Sequence, residues 1–293
     1  MKLNLSVLVV LAGALLSGCQ TTTPPETQSV LNVPFGVPLN ADYRNEIAIA
    51  RFSELLTRTE LPPEQQAQLF YDRGVLYDSL GLTTLARIDF NRAVKMKPDL
   101  AEVYNFLGIH HTLLQQYEQA YEMFDTVLEL NDKHEYAYLN RGIALYYGAR
   151  ADLASKDFAA FQAHAPQDPY RSLWLFLAQS QGDTTAALQS LKSHAAQLDQ
   201  NNWGTQIVAL YLGQLSESDF LANLPVGIET AQSYAERLCE AYFYLAKLYQ
   251  ARGQEAVAID FFKLALATNV YEFVEHKYAR LELDIMSGVA DEG

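Results

Sequence analysis

The chain repeats its own sequence pattern with a period of 34 residues, and this repetition limits the possible folds more than any other feature. Each copy places an aromatic residue, a small residue four positions later, and then an alanine and a phenylalanine 12 and 16 positions after the small residue. Three copies are consecutive and a fourth lies downstream, with the small residue at Gly74, Gly108, Gly142 and Ala246. A period of this length is typical of stacked helix pairs, so the sequence predicts an all-α fold.

The pattern resembles the tetratricopeptide repeat, and the resemblance implies a tetratricopeptide-repeat helical solenoid. Two helices approach to about 8 to 10 Å only where the side chains at their crossing are small. We therefore expect Gly74 to face Ala86 in the first copy, and the same pairing in the next two. The phenylalanines at 90, 124, 158 and 262 recur on one face of the second helix, and we expect them to fill the layer between repeats.

The copies depart from the repeat pattern at a few positions. Arginine takes the usual leucine position at Arg73 and Arg141, and Asp132 replaces the final proline of the second copy. These departures predict local changes in packing and leave the repeat itself intact.

The rest of the folded region is predicted to be helical as well. Residues 67–166 hold the three consecutive repeats, 167–238 have the pattern of degenerate helical repeats, and 239–270 form a further repeat. Residues 271–286 predict an amphipathic capping helix that covers the exposed end of the stack, followed by a polar tail at 287–293.

Residues 40–66 predict an N-terminal helix with a broad apolar face that must be covered. One interpretation is a cap on the first repeat. The other is exchange of this helix between two protomers, which we favour.

The chain begins with the pattern of a bacterial lipoprotein precursor. Lys2 precedes an apolar stretch at 3–16 that is too short to span a bilayer permanently, so residues 1–18 are predicted to be a signal peptide. The sequence Leu-Ser-Gly-Cys that ends at Cys19 resembles a lipobox, which predicts lipidation at Cys19; the alternative is an ordinary secretory leader. Gln20, where inner-membrane lipoproteins carry aspartate, implies sorting to the outer membrane, with the membrane contacted only through the lipid.

Residues 19–39 predict a lipidated N-terminus and a flexible tether. The segment holds four prolines among threonine, glutamine and asparagine, a composition that favours extended backbone over a core. Fully extended, its residues reach at most roughly 70 Å.

Charge and cysteine content exclude several classes of function. The formal charge is −14 for the whole chain, and loss of Lys2 with the signal peptide makes it −15, which disfavours binding to nucleic acid. Cys19 and Cys239 are the two cysteines, so lipidation of the first leaves no intramolecular disulfide. Cys239 lies in a helical pattern and is interpreted as a buried apolar residue.

The sequence carries no motif typical of catalysis. It lacks G-x-S-x-G, H-E-x-x-H, C-x-x-C and a glycine-rich phosphate loop. His110 and His111 are adjacent, so on a helix they point about 100° apart and do not share a metal. We therefore predict a protein that is not an enzyme and has no metal or cofactor.

Candidate partner-binding residues follow from the repeat period, because the first helix of each pair lines a concave groove in such stacks. They are Tyr71, Val75, Asp78, Asn105, Ile109, Tyr136, Leu139, Ile143, Tyr146 and Tyr147. Apolar and aromatic groups beside an amide and an acid suit an extended or helical peptide. The alternative is that Tyr136, Leu139 and Ile143 pack against a neighbouring helix.

Four segments resemble a narrower family, the NlpI family of enterobacterial outer-membrane lipoproteins. They are DRGVLYDSLG at 72–81, LNRGIALYYG at 139–148, RSLWL at 171–175 and FVEHKYA at 273–279. The resemblance implies a homodimeric adaptor on the periplasmic side of the outer membrane. It also implies that the adaptor binds peptidoglycan endopeptidases and presents one of them to a C-terminal-processing periplasmic protease, thereby controlling hydrolase level, cell-wall remodelling and cell division. The alternative function is a lipoprotein subunit of an envelope assembly machine, for outer-membrane protein insertion or pilus secretion.

Overall fold

The computed structural model describes residues 33–58 and 60–288. The predicted signal peptide, the lipidation site at Cys19, the tether up to residue 32 and the tail from residue 289 lie outside them. Within the described residues the chain forms fourteen α-helices and no strand. They are α1 (Tyr43–Arg58), α2 (Pro63–Ser79), α3 (Thr83–Met96), α4 (Ala101–Leu113), α5 (Tyr117–Leu130), α6 (Glu135–Tyr147), α7 (Ala151–His164), α8 (Pro169–Ser180), α9 (Thr184–Ala195), α10 (Thr205–Tyr211), α11 (Glu217–Asn223), α12 (Ala231–Ala251), α13 (Glu255–Leu266) and α14 (Val274–Ser287).

The helices pack in sequence as a solenoid, which confirms the predicted fold class. The four 34-residue copies correspond to the helix pairs α2 with α3, α4 with α5, α6 with α7, and α12 with α13. Each of the first three pairs also packs against the next helix along the chain, so the core runs continuously between repeats.

A phenylalanine ring packs directly on each repeat glycine. A Cβ atom added to Gly74 would lie 2.7 Å from Phe90 Cε1, and one added to Gly108 would lie 2.6 Å from Phe124 Cε1. The third repeat has the same contact, and all three rings are fully buried. The atoms nearest to each glycine therefore belong to the phenylalanine 16 positions later, whereas the sequence predicted the alanine 12 positions later.

Buried ion pairs explain the two arginines that depart from the repeat pattern. Arg73 Nε and Nη2 donate to the carboxylate of Asp89 at 2.6 and 2.8 Å. Arg141 makes the same two-pronged contact with Asp157, at 2.7 and 2.8 Å. The second repeat carries Leu107 and Met123 at the corresponding positions. An arginine and an aspartate in the first and third repeats thus occupy the place of two apolar side chains in the second repeat.

Residues 33–39, which the sequence assigned to the tether, pack against α12 and α13. Leu39 N donates to Thr268 O at 3.0 Å, and Tyr242 Oη donates to the carbonyl of Pro34. Leu39 also contacts a buried apolar cluster that includes Cys239. Val33 is buried and Leu39 is half-buried, whereas Phe35 and Val37 are exposed, so the segment contacts the helices through its two ends and these hydrogen bonds.

The degenerate region at 167–238 contains a regular pair followed by shorter helices. Helices α8 and α9 pack together, whereas α10 and α11 have only seven residues each. The Ser216 side chain accepts a hydrogen bond from Asp219 N at 3.1 Å and so caps α11. Helix α12 begins at Ala231 and runs for 21 residues, so the first helix of the last repeat extends across the boundary predicted at 239.

Helices α1 and α14 lie beside the repeats. Helix α1 packs on α2 of the same chain, where Arg73 Nη1 donates to Ser53 Oγ at 2.9 Å. Helix α14 packs on α12 and α13 and also reaches α4, so it does more than cover the end of the stack. Lys277, for example, lies 2.9 Å from Asp78 on α2.

Replacing Gly108 by alanine is expected to destabilise the chain, because the new methyl group would collide with the Phe124 ring. Overpacking of this kind costs about 1–3 kcal/mol. The measurement is the free energy of unfolding by urea denaturation. Gly182→Ala is the control, since its methyl group would lie 3.7 Å from its nearest neighbour, an ordinary contact. Equal stability of the two variants would contradict the proposed role of the glycine contact.

Replacing Arg73 by leucine is expected to cost about 3 kcal/mol, because it leaves the Asp89 carboxylate buried without its main partner. The double variant Arg73→Leu with Asp89→Met copies the second repeat and should recover most of that loss. Urea denaturation of both variants and the unaltered chain measures the difference. If the double variant is as unstable as the single one, the pair of apolar residues is not an equivalent solution.

Candidate partner-binding groove

Six of the predicted groove residues line one cavity of about 330 Å³ between α2, α4, α6 and α14. They are Val75, Asp78, Asn105, Ile109, Tyr136 and Leu139. Most of the other lining residues were not predicted from the sequence. They are Phe106 and Asn140 on the repeats, and Glu272, Val274, Lys277 and Tyr278 in and before α14. The repeats therefore form one wall of the cavity, and the C-terminal helix forms the other.

The remaining four predicted residues lie beside the cavity, within the packed interior. Tyr71 is half-buried among the rings of Phe90 and Phe106, each 6.3 Å away between centroids, and burial raises the pKa of its hydroxyl. Ile143 is fully buried. Tyr146 and Tyr147 pack edge to face with each other, at 5.0 Å between ring centroids.

Tyr147 is covered by α14. Its ring stacks on that of Tyr278 at 5.6 Å, and its hydroxyl donates to Glu282 Oε1 at 2.9 Å. Burial, together with the negative charge of Glu282, raises the pKa of Tyr147 well above its usual range. This part of the concave surface contacts the chain's own C-terminal helix.

Two buried asparagines form the polar part of the cavity. Asn140 Nδ2 on α6 donates to Asn105 Oδ1 on α4 at 2.9 Å. The other half of each amide, Asn105 Nδ2 and Asn140 Oδ1, has no hydrogen-bond partner within the described residues, and both side chains line the cavity. One donor and one acceptor therefore stand side by side, the arrangement that a peptide backbone group matches.

A buried ion pair attaches α14 to α12. Lys247 Nζ lies 2.5 Å from Glu282 Oε1, and Gln250 Nε2 donates to Glu282 Oε2 at 2.9 Å. Burial favours the neutral amine, but the Tyr146 hydroxyl and the Glu282 carboxylate outweigh burial and raise the pKa of Lys247. The ammonium group also lies 5.1 Å from the centre of the Tyr146 ring.

A second polar attachment joins α14 to α2 and α4 beside the cavity. Asp78 accepts from His110 Nε2 at 2.8 Å and from Lys277 Nζ at 2.9 Å. Burial works to raise the pKa of Asp78, but the hydrogen bond from His110 and the charge of Lys277 lower it below its usual value. The aspartate, predicted as a contact for a partner, is thus neutralised within the chain.

A third set of polar contacts, between glutamates and tyrosines, joins α8 to α12 and α12 to α14. Tyr170 Oη on α8 donates to Glu240 Oε2 on α12 at 2.5 Å, and Tyr244 Oη on α12 lies 3.3 Å from Glu275 Oε1 on α14. Burial first, and then the charge of Glu275, raises the pKa of the Glu240 carboxyl. Burial likewise raises the pKa of Glu275.

Neither a cluster of metal ligands nor a membrane-spanning helix occurs among the described residues. None of their groups of three or more histidine, cysteine, aspartate or glutamate side chains is arranged to hold a metal. No described helix combines the length and apolarity needed to span a bilayer. Cys239 is buried, and burial raises the pKa of its thiol well above the usual range.

The comparison with protein families identifies the repeat. Residues 67–100, which contain α2 and α3, match the model of the tetratricopeptide repeat. These residues form a tetratricopeptide repeat.

Several solved structures are similar in fold. A tetratricopeptide repeat protein from Parabacteroides merdae is 19% identical, with a TM-score of 0.49 over 83% of this chain and 78% of that one. PilF from Pseudomonas aeruginosa is 16% identical, with a TM-score of 0.45 over 75% of this chain and 99% of that one. YrrB, described as a tetratricopeptide protein with an unusual peptide-binding site, is 13% identical, with a TM-score of 0.43 over 78% and 97% of the two chains. These values describe a likeness of fold and nothing more.

The raised pKa of Glu240 predicts that stability falls as the pH rises from about 5 to 8, because the folded chain holds a proton that the unfolded chain has already released. Glu240→Gln removes this proton linkage, so its free energy of unfolding should fall less between the two pH values. Urea denaturation at pH 5 and pH 8 measures both. Glu255→Gln, at an exposed glutamate in the first turn of α13, is the control and should behave as the unaltered chain. Equal pH dependence in all three proteins would refute the assignment.

Proposed function

We propose that the chain is an adaptor that binds a segment of another protein in the cavity between α2, α4, α6 and α14. The supporting observation is the combination of apolar walls, including Val75, Ile109 and Leu139, with the amide pair of Asn105 and Asn140. An apolar side chain of the partner fills the cavity, and its backbone pairs with the free donor and acceptor. Grooves that bind peptides commonly combine a pocket for a side chain with hydrogen bonds to the peptide backbone.

The charge of the chain adds to this proposal. Lys277 balances the charge of Asp78, which leaves the exposed Glu272 as the remaining charged group of the cavity wall. The chain as a whole carries −14, which attracts basic partners over a distance and accelerates their encounter at low salt. Affinity then comes from the apolar cavity and the amides.

The partners that we propose are peptidoglycan endopeptidases and a C-terminal-processing periplasmic protease. This finer proposal is supported by the four segments that resemble the outer-membrane lipoprotein family, and by the lipobox that predicts lipidation at Cys19. An adaptor anchored to the outer membrane and facing the periplasm raises the effective concentration of a hydrolase and a protease without chemistry of its own. Hydrolase level, and with it cell-wall remodelling and cell division, would follow from that encounter.

We further propose that the adaptor is a homodimer formed through α1. Helix α1 packs on α2, yet Tyr43 is 67% exposed and Ile47 is 60% exposed on its surface. Large apolar side chains on one helix provide area for a second copy of the chain. If this helix is exchanged between protomers, α1 of one copy packs on α2 of the other, and the contact between α1 and α2 is kept.

Replacing Tyr136 by glutamate is expected to abolish most partner binding, because it places a carboxylate at the edge of an apolar cavity. The side chain is 53% exposed and lies in the first turn of α6, so the fold should tolerate the change. The measurement is a pull-down from a native envelope extract, followed by identification of the retained endopeptidase or protease.

Leu153→Glu is the matched control, since Leu153 is 43% exposed in the first turn of α7 and does not line the cavity. It should retain partners as the unaltered chain does. Retention of neither enzyme by the unaltered chain would contradict the proposed partners. Retention of outer-membrane insertion or pilus-assembly subunits in their place would favour the alternative function. Full retention by the glutamate variant would move the binding site elsewhere.

A further inference from the structure

A second cavity, of about 570 Å³, adjoins the partner-binding cavity and shares Asp78 and Lys277 with it. Its walls come from the end of α2, the first turns of α3, the end of α4 and the middle of α14. None of the predicted groove residues except Asp78 lines it. The adaptor function described above makes no use of this cavity.

Three cationic side chains converge on the cavity, Arg87 from α3 and Lys277 and Arg280 from α14. Neither guanidinium group has a hydrogen bond or ion pair with any residue in the part of the chain that the structure describes. Two carboxylates also line the cavity: that of Asp78, which pairs with Lys277 and accepts a hydrogen bond from His110, and that of Asp284. Two guanidinium groups without a partner among the described residues therefore line the same cavity.

His110 presents a buried hydrogen-bond acceptor at the same place. The ring lines the cavity, is 1% exposed, and uses Nε2 to contact the Asp78 carboxylate. Because that carboxylate only accepts, Nε2 carries the hydrogen. Burial lowers the pKa of His110, so the ring is neutral and Nδ1 is an acceptor. Nδ1 has no partner among the described residues, and a buried acceptor of this kind is costly to leave unpaired.

The N-terminus of α3 adds a further preference for negative charge. The helix begins at Thr83 without a side-chain cap, and Thr83 and Thr84 both line the cavity. Free backbone N–H groups and the helix dipole favour an anion at such an end.

We propose that this cavity binds a phosphate monoester. The anionic oxygens accept from Arg87, Arg280 and the first turn of α3, and the remaining P–O–H group donates to the unpaired acceptor of His110. At about pH 6 a phosphate monoester keeps one such proton in about half of its molecules, because its second pKa is about 6. Carboxylate and sulfate carry negative charge but no donor, so they satisfy only part of the site.

A bound phosphate would also connect two parts of the fold. Arg87 lies on the first repeat, whereas Arg280 and Lys277 lie on α14, which covers the partner-binding cavity. An anion held by both would strengthen the attachment of α14 to the repeats. The site therefore offers a way for a small phosphate ester to stabilise the wall of the neighbouring cavity.

Isothermal titration calorimetry of the full chain in detergent at about pH 6 tests the proposal, with inorganic phosphate, glycerol 1-phosphate and sodium sulfate as probes. Both phosphates should bind, and sulfate should bind about tenfold more weakly because it cannot donate to His110. Arg280→Gln and Arg87→Gln should each weaken phosphate binding about tenfold or more. Arg280 is exposed, so its substitution should leave the fold intact, which far-ultraviolet circular dichroism verifies.

Arg51→Gln, an exposed arginine on α1 that does not line the cavity, is the matched control and should bind phosphate as the unaltered chain does. Titration with dihexanoyl phosphatidic acid separates two sources of the ligand: binding that Arg280→Gln weakens points to a lipid headgroup, and binding of glycerol 1-phosphate alone points to a free ester. Failure of both phosphates to bind, equal binding of sulfate and phosphate, or unchanged binding in both arginine variants would overturn the proposal.

Discussion

The contact between a glycine and a phenylalanine ring 16 positions later sets the distance between the two helices of each repeat. In three consecutive pairs the ring lies where a Cβ atom would otherwise stand, and no larger residue fits at that crossing. Because the contact recurs with the 34-residue period, the two helices of each pair lie at the same distance, and each pair stacks on the next in the same way. The first helices of the pairs are thereby aligned along one face, and the residues that line the partner-binding cavity follow from that alignment.

The C-terminal helix turns this face into a cavity, and it is held there mainly by polar groups. Asp78 on α2 and Glu282 on α14 each accept hydrogen bonds from two or more side chains, so Lys277 and Glu282, which α14 brings into the interior, both have a partner of opposite charge. A buried charge that lost one of these partners would be strongly destabilising, which makes the position of α14 specific. The same helix carries Lys277 to the boundary between the two cavities. The ion pair of Lys277 with Asp78 therefore belongs to the wall of both cavities.

The repeated part of the fold was predictable from the sequence because its determinants are local and recur. The aromatic, glycine, alanine and phenylalanine positions are each met within one period, and six of the ten predicted groove residues do line a single cavity. The arginine and aspartate pairs follow the same 16-residue spacing as the glycine contact. Both residues are present in the first and third copies and both are absent from the second and fourth, and a comparison of the copies reveals this signal.

The course of the two ends was not predictable in the same way. Lys277 and Asp78 are 199 residues apart, and Tyr147 and Glu282 are 135 residues apart, so no local pattern indicates that they meet. The apolar face of α14 indicates that the helix packs on another surface but not on which one. From the sequence we predicted the open end of the stack. The burial of Tyr146, the contacts of Tyr147 with α14 and the packing of residues 33–39 follow from long-range contacts of this kind.

The central claim is that partners bind in the cavity that α14 and the repeats form together. Site-specific photo-crosslinking in living cells tests it most directly, with a photoreactive phenylalanine analogue in place of Tyr136, which lines the cavity, or of Ile88, which is 44% exposed on α3 and does not. The account predicts a crosslinked partner from position 136 and none from position 88. A partner captured from position 88 alone would contradict it.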